Sequence, residues 1–228
     1  VSELFEKKGL KTFNYGMSGG HLFEAELMLK LMLERKYKIK NVILEADLNL
    51  SSEHRSDGIA CKFLPYLHQS ETIATHFSKE DDFMALYYIP FYRYIKFDTQ
   101  IGFREMVLHV LQKETSHLQY SGYHALGNKK GRMKNNISPL KPLIRNQYYE
   151  SIKRLCAANS INFIAVMTPM CENTLGMNYF DKVKKAYPEI YNYEKVVIED
   201  KYFSSCGHMN DVGARLFTSK IIQDFFDN

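Results

Sequence analysis

Two short runs of almost unbroken apolar residues, Asn41–Ala46 (NVILEA) and Asn162–Met167 (NFIAVM), constrain the fold of this chain more than any other feature. They have the length of strands. An apolar run without alternation is what a strand buried on both faces of a parallel sheet requires. Each follows a helix-like stretch. The first, His21 to about Lys36, is apolar around most of its circumference, with Glu26 and Lys30 one turn apart on a narrow polar face. The second is Gln147 to Ala158. Each run also stops sharply, in Asp47-Leu48-Asn49 and in Thr168-Pro169. Strands alternating with helices predict an α/β fold on a parallel sheet.

Lys11–Tyr15 (KTFNY) and Val196–Ile198 predict two further strands. Gly9 closes a helix near Val1, and Asp181–Tyr187 predicts a short helix. Asn210 caps a last helix that buries Ala214, Phe217, Ile221 and Phe225. The stretch 51–145 is the least regular. It is expected to be an insertion or cap on one domain spanning 1–228, with an aromatic run (Tyr87, Tyr88, Phe91, Tyr92, Tyr94) in the core and a Gly-rich loop from Ser121 to Gly131.

Composition removes several function classes. The net charge is only +4, and its densest basic cluster, Lys129, Lys130, Arg132 and Lys134, reads as a solvated loop, so no nucleic-acid partner is expected. No stretch reaches the roughly 18–20 apolar residues of a membrane helix. His54, His68, His76, His109, His117 and His124 lack metal-ligand spacing, His21 is expected to be exposed, and the four cysteines fit no zinc motif. Neither a metal nor an organic cofactor is implied. Cys156 reads as a small buried hydrophobe. Cys171 and Cys206 both fall just past predicted strands, which leaves a bridge between them open.

Open α/β sheets bind ligands at the carboxyl ends of their strands. The segments that follow the strands are Gly16-Met17-Ser18-Gly19-Gly20, Asp47-Leu48-Asn49, Thr168-Pro169-Met170-Cys171, and Ser204 to Asn210. Brought together they offer a histidine, an asparagine, hydroxyls and backbone N–H groups beside glycines, which is what acyl transfer needs. Asp47 reads as a structural acceptor for loop N–H groups.

This order, and above all His208-Met209-Asn210 through Gly213-Ala214 to Phe217-Thr218, resembles the SGNH (GDSL-type) ester hydrolase superfamily. It is closest to its bacterial cell-envelope branch, linked to acylated surface polysaccharides. The resemblance spans nearly the whole chain. It implies a flavodoxin-like three-layer sandwich with a mostly parallel sheet. His208 would be the general base for a serine, with oxyanion donors at the Gly16 N–H and the Asn49 amide. The substrate would be a small acyl ester, such as an O-acetyl group on an envelope glycan, outside the cytoplasm.

Three departures qualify it. The family's nucleophile block, a strand ending in G-(D/S)-S, precedes the helix that ends at Gly9, and here the chain opens at Val1. The expectation is an upstream segment that carries the serine and any membrane anchor. That strand would lie between the first two strands visible here. The usual G-x-N-D around the oxyanion asparagine is missing. Ser205 stands where the family has the Asp that orients the histidine, so either a Ser-His dyad operates or the protein is an inactive binder of a glycan or partner. A rival reading takes Gly16–Gly20 as a G-x-S-x-G elbow, with Ser18 as nucleophile, Asp200 as acid and His208 as base. A plainer one makes the glycines a tight turn into a helix.

Overall fold

The computed structural model describes residues 1–97, 111, 121–128, 131 and 133–227. Lys129, Lys130, Arg132, His109 and His117 lie outside them. The described chain mixes helices with small parallel sheets, an α/β arrangement. In chain order the helices are α1 (Ser2–Glu6), α2 (Leu22–Glu34), α3 (Asp57–Ala60), α4 (Glu71–Phe77), α5 (Phe83–Tyr88), α6 (Tyr92–Lys96), α7 (Gln147–Ala158), α8 (Asn178–Ala186) and α9 (Asp211–Phe226). The strands are β1 (Asn41–Glu45), β2 (Asn135–Asn136), β3 (Asn162–Met167), β4 (Thr174–Leu175), β5 (Tyr191–Asn192), β6 (Phe203–Ser205) and β7 (His208–Met209).

The two apolar runs become β1 and β3. They pair in parallel from Asn41 opposite Asn162 to Glu45 opposite Val166, and β5 adds to the far side in the order β1-β3-β5. Strand alternation sends Ala165 and Met167 into the main core, under α2 and α7. It sends Ile164 and Val166 to the other face, where Ile221, Phe217 and Phe225 of α9 cover them. β3 is thus packed by helices on both faces. β1 is covered on one. Val42 and Leu44 pack on the main core, but Ile43, the register partner of Ile164, is 38% exposed.

Local signals explain most boundaries. Gly9, at φ +70°, closes α1 in a Schellman pattern: the Gly9 N–H donates to Glu6 O and the Leu10 N–H to Phe5 O. The Asn146 side chain caps α7, and the Asn210 side chain accepts from the Gly213 N–H to cap α9. Gly213 itself is fixed by packing, because a Cβ there would sit 2.3 Å from the Tyr202 carbonyl oxygen. The helices between 51 and 97 share the main core with α2, through Phe77 edge-on to Phe23 and the His76 ring against the Phe23 carbonyl.

Three expectations are corrected. Lys11–Tyr15 forms no strand. Its alternation fits one, but no described strand lies beside it to complete a ladder. It is held by the Asn14 N–H donating to Ser121 O, and Phe13 and Tyr15 are exposed. Val196–Ile198 also stays out of the sheet. Tyr191–Asn192 takes the place beside β3, and only Val197 turns inward, onto Cys171 and Phe203. Most of the aromatic run is not core either: Tyr88, Phe91 and Tyr94 are exposed, while Tyr87 and Tyr92 are half-buried against the main core.

Candidate functional site

The carboxyl ends of β1 and β3 are tied by a single side chain. Asp47 is 1% exposed. It accepts from the Leu48 N–H, from the Thr168 N–H at 3.0 Å and from the Thr168 hydroxyl at 2.7 Å. Its own carbonyl accepts from the Tyr179 hydroxyl at 2.9 Å. It is the acceptor for loop N–H groups that its position after a strand predicts. Thr168 Oγ1 also lies 3.4 Å from Glu45 Oε1.

Two carboxyl groups therefore share one threonine hydroxyl. Burial raises Asp47 above the usual carboxylate range. Glu45, more open to water, is pushed up to about 8, first by the negative charge of Asp47 and then by desolvation. The two groups titrate as a coupled pair. Sequence reasoning passed over Glu45, although the signal was present: it is the one charged residue in an apolar strand, and it sits at the carboxyl end.

The next link is covalent. A disulfide joins Cys171, in the loop after β3, to Cys206, with Cα atoms 5.0 Å apart. Cys206 and Gly207, the latter at φ +85°, form the turn between β6 and β7. In that antiparallel hairpin Ser205 stands opposite His208. The bridge thus fixes the Ser205–His208 pair beside the end of β3, and a Cβ on Gly207 would lie 3.5 Å from Met170 Sδ. Ser205 is half-buried beneath Gly131, whose N–H donates to Ser204 O. His208 is exposed, and its imidazole makes no hydrogen bond among the described residues.

The remaining candidates are spread more widely. Asn49 sits in the 3-10 turn Leu48–Ser51, half-buried, two residues from Asp47. The Gly16 N–H donates to Asn14 Oδ1 at 2.9 Å. Ser18 is exposed at a corner of a β-turn closed by the Gly20 N–H on Met17 O, with Gly19 at φ +77°. No strand precedes that turn, so the strand-turn-helix context of a nucleophile elbow is not formed. Asp200 accepts from the Asn173 side chain at 3.2 Å, away from any histidine contact. The structure joins Asp47 to Thr168 at the ends of β1 and β3 and Ser205 to His208 in the hairpin that the bridge ties to the loop after β3, while Gly16 and Ser18 lie in an exposed segment before α2.

A second polar cluster escaped sequence reasoning. Glu26 and His76, both 1% exposed, meet Lys30 and Ser151 between α2, α4 and α7. The His76 Nε2 contact to Phe23 O, at 2.9 Å, leaves Nδ1 to accept from Lys30, and burial lowers its pKa to about 4. The cluster pairs charges inside a helix interface, although Glu26 Oε2, 3.7 Å from His76 Nδ1, has no hydrogen-bond partner among the described residues.

Comparison with models of known protein families, with curated proteins and with solved structures returns no match.

Proposed function

We propose that this chain is most of an ester hydrolase or acyltransferase domain with a flavodoxin-like three-layer sandwich, acting on small acyl esters such as O-acetyl groups of envelope glycans. One observation carries the reading: the Cys171–Cys206 bridge holds an accessible His208 beside the carboxyl ends of the parallel strands. His208 accepts the proton of a serine supplied by a segment ahead of Val1 and returns it to the leaving alcohol. The strand bearing that serine pairs with the outer edge of β1. The outer edge of β1, which pairs with no described strand, supports this. The Asn49 amide holds the oxyanion, with the Gly16 N–H as the second donor where it exchanges Asn14 Oδ1 for the oxyanion.

A second reading, an inactive binder of a glycan or partner, is favoured by Ser205 in place of a carboxylate and by the Gly16 N–H already being engaged. Acetyl-ester hydrolysis by the protein expressed with its upstream frame separates the two. The enzyme reading expects His208→Ala to cost about 10²–10⁴-fold in rate, and Ser205→Asp to keep or raise activity. A folded protein that is inert with either residue at 205, yet binds glycan, overturns it.

A further inference from the structure

Between Phe83 and Phe97 the chain carries Arg93 and Lys96 and no acidic residue. The same stretch exposes large apolar side chains rather than burying them: Met84 at 65%, Phe91 at 73% and Ile95 at 77%, with Tyr88, Ile89 and Tyr94 also exposed. They share a side. Met84 and Tyr88 are one turn apart on α5, and the Ile95 N–H donating to Phe91 O places those two one turn apart on α6. Phe91 joins the helices in the left-handed conformation, φ +63°. A bulky residue held there is strained, and the strain aims an aromatic ring outward. Beside it lies a cavity of about 260 Å³, lined in part by Phe91, Tyr88, His68 and Arg93. Lys96 is paired with Asp82, whereas Arg93 has no carboxylate partner among the described residues and lies 5.1 Å over the Tyr94 ring.

We propose that the α5–α6 hairpin docks on an anionic lipid bilayer. Ile89, Phe91 and Ile95 enter the boundary between headgroups and acyl chains, and Arg93 meets a lipid phosphate at the cavity. A patch of this kind on a chain segment marks an interaction surface. Charge chooses the partner: the Arg93 guanidinium donates to Leu64 O at 3.0 Å but meets no carboxylate among the described residues, so its positive charge, set among apolar side chains, complements a phosphate above hydrocarbon, with tyrosines at the interfacial level. A sugar-stacking platform would use the ring faces but leaves Met84, Ile89 and Ile95 without a purpose.

The chain contains no Trp, so Phe91→Trp installs a single fluorescent reporter. The probes are vesicles of phosphatidylcholine with and without phosphatidylglycerol, inorganic phosphate, and a soluble acetylated polysaccharide. The expected result is a blue shift with the anionic vesicles and none with inorganic phosphate or polysaccharide. Co-sedimentation of the unaltered chain should agree. Ile95→Glu, at an exposed position, is expected to weaken binding about tenfold. Arg93→Gln is expected to weaken it about fivefold, on anionic vesicles alone. The proposal is overturned by unshifted emission and no sedimentation with either vesicle, or by equal binding to both. A shift produced by polysaccharide alone, or by raising protein concentration without vesicles, also overturns it.

Discussion

β1 and β3 begin as nearly the same sequence and end in different surroundings. Both are apolar, both are parallel, and they are register partners. β3 has strands on both edges and helices on both faces. β1 has β3 on one edge, no described strand on the other, and Ile43 open to solvent on the face that α9 covers at β3. A run such as NVILE is written for the environment of β3. The difference shows that burial coded in a sequence can exceed the burial its described neighbours deliver.

The largest expected effect comes from putting a charge at equivalent points. Ile164→Asp in β3, the register partner of Ile43, should cost about 3–5 kcal/mol in urea unfolding, because the carboxylate has no partner there. Ile43→Asp in β1 of this chain should cost below about 1 kcal/mol.

The next largest concerns what anchors β3 beyond its end. Cys171→Ser removes a bridge across a separation of 35 residues. It should lower stability by about 3–4 kcal/mol on a loop-entropy basis, measured against the oxidised protein. Proteolysis should then cut first in the hairpin that carries His208, while β1 keeps its protection.

Asp47→Ala tests the link between the strands. It leaves the Thr168 N–H buried without an acceptor and should cost about 2–3 kcal/mol. Smallest is the titration of the carboxyl pair. Glu45 has a folded-state pKa raised to about 8, so its contribution is fully present below its unfolded value and is lost as pH rises through about 8. The melting temperature should fall between about pH 5 and pH 9, modestly because water reaches Glu45, and Glu45→Gln should flatten that slope.

Much of this architecture was legible in the residues. The strands β1 and β3, the helices α2, α7 and α9, the Asn210 cap, the Gly9 closure and the acceptor role of Asp47 each rest on a local signal, and local signals survive folding. Lys11–Tyr15 and Val196–Ile198 were misread for one reason: an apolar or alternating pattern shows that a segment could be a strand, and only a neighbour makes it one. The exposed aromatic run failed differently. Apolar residues are usually inside, and nothing in their spacing told that Phe91 would turn the chain outward. Within the candidate site, Ser205 and His208 were visible as a pair three residues apart. Glu45 was hidden because its neighbours marked it as part of a strand.

Amide hydrogen exchange along β1 tests the central claim most directly. The Asn162 N–H donates to Lys40 O and the Ala46 N–H to Val166 O, so Val42 and Leu44 face β3 while Ile43 and Glu45 turn their amides to the outer edge. In this chain the amides of Ile43 and Glu45 should exchange orders of magnitude faster than those of Leu44 and Ile164. Equal protection at Ile43 and Leu44 in the monomeric chain would contradict an open edge, and with it the place assigned to an added strand.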